Sequence, residues 1–222
     1  FDPSLPAIVI DLQLEGADLT LINTKDRLER AGFMHLPNSG QARLQKHLLA
    51  TMGNRFLRHT AFDILADGRI EQLFFRQTKD FLLSGAADHR FHLNTADRTY
   101  EMPVKREQLV ADAQAFTQEL VQGVREFVRH ALTGRAPCTL ALTASAALVP
   151  GFEAALAAAG FSRQLRLPAG AAAVGAARIA AAKLKPLEDV ADAPLVTSVE
   201  LGLIIRAGTD APVTILFARC GN

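Results

Sequence analysis

The chain of 222 residues is 49% hydrophobic and 21% charged, with 24 Lys and Arg set against 23 Asp and Glu. That is a soluble globular composition, long enough to bury a core without disulfides or a structural metal. The balanced charge argues against a dedicated nucleic-acid binder, which needs surplus cations to displace counterions from phosphates. Cys138 and Cys220 are far apart and make no CxxC pair, so neither a zinc site nor a redox dithiol is expected.

The first six residues lack the basic start and apolar run of a signal peptide. The alanine-rich stretch 154–182 is broken by Arg163, Arg166, Pro168 and Arg178, so it is not expected to span a membrane. These features predict a cytoplasmic protein. The start at Phe1 rather than Met fits a fragment or a processed product.

In chain order, the apolar run 7–12 predicts a buried strand, and residues 18–23 a second strand in a hairpin with it. Residues 28–36 predict a third strand, and Pro37-Asn38-Ser39-Gly40 a turn that starts a helix. Leu44, Leu48, Met52 and Phe56 recur every fourth residue, the spacing of one helix face. Ile70, Leu73, Phe74, Phe81 and Leu82 predict a second apolar face, and 91–93 with 99–102 a small hairpin. Leu109, Ala113, Phe116, Leu120, Val124 and Phe127 trace one stripe of a single long helix. Residues 139–143 predict a strand, 144–147 a turn, and 152–159 and 171–183 two helices. Residues 186–194 read as an acidic linker, and 195–206 and 213–218 as two strands. The class is α/β with a mixed sheet.

Three stretches carry a family likeness: Val9-Ile10-Asp11 followed by Asp18, the run 142–152 with Val149-Pro150-Gly151, and Ala173-Val174-Gly175-Ala176-Ala177. Together with the element order, they resemble the second half of the actin-like (ribonuclease-H-like) ATPase domain of the seventy-kilodalton heat-shock chaperones. The resemblance implies a half-domain over 1–185, with a helical excursion over about 38–103, and a linker and C-terminal β segment over 186–222. In that family two halves clasp ATP, and nothing here resembles the first half.

By family correspondence, a nucleotide with magnesium would meet Asp11, Lys79, Ala144, Ser145 and Gly175. Asp11 matches the carboxylate near the magnesium waters, and Lys79 the one retained adenosine contact. Other contacts are altered. The phosphate-loop glycines are replaced by Leu12-Gln13-Leu14-Glu15, and Glu15 puts negative charge where phosphate would sit. Pro37-Asn38 stand for a glycine pair, Ala144-Ser145 for another, and Leu148 for an adenine-stacking arginine. Arg76 and Asp80 replace further adenosine contacts, and Ala169 an acidic residue. The expectation is a binding or scaffolding pseudo-ATPase with no cofactor, no ATPase activity of its own and a protein partner. The alternative is an ATP/ADP- and Mg-binding half that needs a missing N-terminal half-domain.

The remaining chemistry-bearing residues read more simply. His89 and His92 are spaced to point to opposite faces of a strand, which does not favour a metal pair. Ser145 lacks the flanking glycines of a nucleophile elbow. Cys138 reads as a buried thiol, and Arg125 and Arg129 with Glu119 and Glu126 as a solvated helix face. The strands beyond residue 195 read as a hairpin that completes the protein's own sheet, in preference to an edge offered to a partner.

Overall fold

The first apolar run forms strand β1 (Ala7–Leu12), flanked by partner strands on both sides. The computed structural model describes residues 5–23, 27–132, 137–183 and 198–200. In it β1 turns back into β2 (Gly16–Asn23), and β2 into β3 (Arg27–Pro37), both pairs antiparallel. On the other side of β1, β6 (Thr139–Leu142) and then β7 (Gln164–Arg166) add in parallel. A short β8 (Ser198–Glu200) pairs with the start of β3, giving the order β7-β6-β1-β2-β3-β8. A separate hairpin joins β4 (Asp88–Asn94) to β5 (Thr99–Lys105).

The helices fill the connections. Between β3 and β6 lie α1 (Gln41–Thr60), a 3₁₀ turn (Ile64–Ala66), α2 (Gly68–Ser84), the hairpin, α3 (Arg106–Asp112) and α4 (Gln114–Ala131). The single turn α5 (Ala144–Ala147) and α6 (Phe152–Ala158) link β6 to β7, and α7 (Ala171–Lys183) follows. The result is an α/β architecture with a mixed sheet and flanking helices.

The period-two alternation of β1 divides the core. Ile8, Ile10 and Leu12 face the main cluster, with Leu48, Phe56, Phe74, Phe91 and the α4 stripe. Ala7 and Val9 face a smaller cluster with Ile22, Ala141, Leu167 and Ala171 at the start of α7. A strand that buries both faces must be apolar almost throughout, and β1 is apolar except at Asp11.

The helical faces follow the spacings with two corrections. All six residues of the long stripe are buried, but the helix is divided at Ala113. The Asp112 carbonyl meets His47 Nε2 at 2.8 Å, and the Asp112 carboxylate meets Arg55 at 2.6 Å. Backbone bonds still cross the joint, from Ala113 N–H to Leu109 O and from Thr117 N–H to Ala113 O, both 3.0 Å. The side-chain phase is therefore kept.

On α2 the buried face is Phe74, Thr78, Phe81 and Leu82, while Leu73 points outward. Leu73 is one residue from Phe74 and so about 100° around the helix. Thr78 takes the inward position by donating its hydroxyl to the Phe74 carbonyl at 2.9 Å. The strand β7 had no signal in the sequence, because three residues show too little alternation. The predicted linker and most of the predicted C-terminal strands lie outside the described residues. Ser198–Glu200 are described, and they extend the protein's own sheet.

Candidate functional site

Two parallel strands end side by side, with Ile10 of β1 opposite Leu142 of β6. The next residues, Asp11 and Thr143, are thereby placed together, and Thr143 N–H donates to the Ile10 carbonyl at 3.0 Å. Thr143 caps α5, its Oγ1 accepting from Ala146 N–H at 3.3 Å. That cap sets Ser145 over the end of β1. Ser145 Oγ donates to Asp11 Oδ1 at 3.2 Å and lies 2.9 Å from Thr143 Oγ1. The side-chain amide of Gln13 donates to Asp11 Oδ2. Both oxygens of Asp11 are thus engaged by neutral groups of this chain. Ala144 begins α5 beside them.

Ser145 also borders a narrow cleft against α1 and α2. Leu12, Leu44, Leu82, Leu83 and Leu148 supply its apolar lining. Gln41, Gln45, Lys79 and Ser145 supply the polar part. Lys79 is the one cation on that lining, and it has no ion pair among the described residues. The cleft holds about 60 Å³. Ligand pockets for drug-sized molecules run to roughly 300–1,000 Å³.

The start of α1 docks on the β1–β2 turn. At a helix start, free backbone N–H groups and the helix dipole attract anions. Here Gln41 N–H donates to Gln13 O at 2.8 Å and Ala42 N–H to Leu14 O at 2.9 Å. The Gln41 side chain donates to Leu12 O at 2.9 Å. The first two amides of α1 are therefore spent on the carbonyls of the turn. Gly40 makes this approach possible, since a Cβ there would strike backbone atoms of Leu14, Glu15 and Gly16. The glycine that matters at this helix start is thus Gly40. Pro37 ends β3, and Asn38 takes a left-handed φ of 56°.

The structure joins Asp11 to Ser145 by a hydrogen bond, sets Ala144 beside them at the start of α5, and places Lys79 with Ser145 on the cleft lining. Gly175 is buried on α7, whose first residue, Ala171, packs in the smaller cluster with Ala7 and Val9. Asp18 pairs with His35 across β2 and β3 at 2.7 Å. Arg76 borders an open hollow on the outer face of α2, with Arg69, Gln72 and Leu73. Gln13, Gln41 and Gly40 were not singled out from the sequence. From the sequence Thr143 reads as the end of a strand, and a Thr directly before a helical turn is the signal for its capping role.

The cleft lining carries no Ser–His–carboxylate arrangement. No histidine lines it, and Ser145 meets a carboxylate without an intervening base. Partial burial pushes the Cys138 thiol above its ordinary range, which lowers its thiolate fraction. Among the described residues, no group of three or more His, Cys, Asp and Glu is placed to hold a metal. His89 and His92 do face opposite sides of the hairpin. No helix among the described residues is long and apolar enough to cross a membrane.

No family model and no curated protein matches the chain.

Proposed function

We propose that the chain is a pseudo-ATPase module of the actin-like, heat-shock-chaperone type, which binds or scaffolds a protein partner and does not hydrolyse ATP. The observation that carries this reading is the closed phosphate position. The Gln41 and Ala42 amides bond to the Gln13 and Leu14 carbonyls, so a phosphate finds acceptors where it needs donors. Glu15 adds negative charge to the same turn. The element order supports the family likeness: an antiparallel hairpin, a helical excursion, a long helix, then a parallel strand leading through Pro150-Gly151 into a helix.

A second reading has its own support. Asp11, Ser145 and Lys79 meet at the carboxyl ends of parallel strands, where open α/β sheets hold ligands. On this reading the chain is the ATP- and Mg-binding half of a chaperone-type ATPase, and a second half-domain completes the cleft.

Titration calorimetry with ATP and with ADP, each with Mg, separates the two. The samples are this chain and any longer protein that carries it. The pseudo-ATPase reading expects no binding heat in either sample. Micromolar binding in the longer protein, lost in Asp11→Asn or Lys79→Ala, would overturn it and establish the second reading.

A further inference from the structure

His89 breaks the pattern of its strand. The alternation of β4 places His89 on the same face as Phe91 and Leu93, the face that packs on the helices. Phe91 and Leu93 are apolar and fully buried there. The imidazole stacks on Phe81 of α2, with ring centroids 5.2 Å apart and planes 18° apart. Its other ring neighbour is Phe91, edge-on at 4.9 Å. Its Nε2 is shut from solvent and has no hydrogen-bond partner.

The far side of this joint is cationic. The Arg106 guanidinium lies 4.5 Å from the Phe81 ring centroid. It donates to Phe81 O at 2.7 Å and to Ala86 O at 2.9 Å. Arg106 thus pins the end of α2 to the start of α3, and His89 pins the same end to β4.

We propose that His89 makes the seating of the β4–β5 hairpin on α2 acid-sensitive: the joint is closed while the imidazole is neutral and loosens when it is protonated. Protonation places a charged ring where Nε2 is shut from water and leaves its N–H without an acceptor, a desolvation cost that outweighs the cation–π contact with Phe81. On α2, Asp80 is the opposing group, and its charge favours the protonated ring. Burial outweighs Asp80 and holds the imidazole below its ordinary range. Asp88, Arg90 and Lys105 of the hairpin and Glu107 of α3 are exposed and screened by solvent.

The joint touches the cleft. Lys79, Leu82 and Leu83 of the cleft wall lie on the same last turns of α2 as Phe81. Loosening the joint therefore alters that wall, whether or not the cleft takes a nucleotide.

Amide hydrogen exchange followed by mass spectrometry tests the proposal, with protection factors compared at pH 7.5 and 5.5. In the wild type, peptides covering 81–105 lose protection severalfold at pH 5.5, relative to peptides from β1 and β6. His89→Phe keeps the ring packing and abolishes the loss. Should that variant fail to fold, histidine NMR titration of the wild-type chain decides, with His89 titrating below the ordinary 6.5. An unchanged hairpin at pH 5.5, an equal loss in His89→Phe, or a His89 that titrates at or above the ordinary value overturns the proposal.

Discussion

Gly40 carries a large share of the site's geometry. It has no side chain, and that absence lets the start of α1 dock on the β1–β2 turn. The atoms a Cβ would strike belong to the backbone of Leu14, Glu15 and Gly16, so no rotamer change relieves the clash. Gly40→Ala is expected to destabilise the protein by about 2–3 kcal/mol, the upper part of the range for overpacking. Urea denaturation checks this. Gly68→Ala is the control, because nothing lies within 4 Å of the added Cβ. There the change is expected to be neutral or stabilising by up to about 1 kcal/mol. Equal losses in both variants would refute the close-approach reading.

The elements divide by how much of their packing is local. α1 and α4 follow their spacing closely: Leu44, Leu48, Met52 and Phe56 are buried, as are Phe116, Leu120, Val124 and Phe127. α2 is the instructive case, because adjacent apolar residues offer two faces and periodicity does not choose between them. Tertiary contacts choose. Phe74 lies between Phe56 at 5.4 Å and Phe91 at 4.6 Å, while Leu73 is 39% exposed. Phe74→Ala is accordingly expected to cost about 3–5 kcal/mol, as for large aromatic deletions in a core. Leu73→Ala is expected to change stability by less than about 1 kcal/mol. Thermal or denaturant unfolding of the two variants separates them, and similar losses would contradict the assigned face. The outer face of the hairpin is polar by contrast. Arg90 and His92 both reach Glu101, at 3.0 and 3.1 Å.

At the scale of the whole molecule, these charges set how stability depends on pH. The Glu101 carboxyl is held below its ordinary 4.5 by hydrogen bonds from Arg90 and His92. A group with a depressed folded pKa stabilises the fold above its unfolded pKa, and the contribution fades as pH falls below it. His89 behaves alike in its own window, because burial holds it below 6.5. Stability should therefore decline first as pH drops below about 6.5, and further below about 4.5. Glu101→Gln should remove part of the lower decline and leave the upper one intact. Urea midpoints measured from pH 7.5 to 3.5 test the assignment. An upper decline that vanishes in Glu101→Gln would show the two windows to be misassigned.

The α/β class, the three leading strands, the hairpin and the longer helices were legible in the sequence, whereas the single turn α5 and the break between α3 and α4 were not. Each legible element rests on a local period or a turn signal, and neighbours in sequence are sufficient to read those. Asp11, Ser145 and Lys79 could be singled out as candidates only through a family likeness, since they lie 134 residues apart at the extremes of the Asp11–Ser145 contact. Only the tertiary structure decided which groups meet. Parallel pairing of β1 with β6 sets Ser145 on Asp11. Docking of α1 on the β1–β2 turn engages the amides of Gln41 and Ala42. The packing of β4 on α2 leaves His89 half-buried, with its Nε2 shut from solvent and unpartnered. Such contacts join segments distant along the chain, and no local period encodes them; they follow from how the faces close over one another once the core is buried.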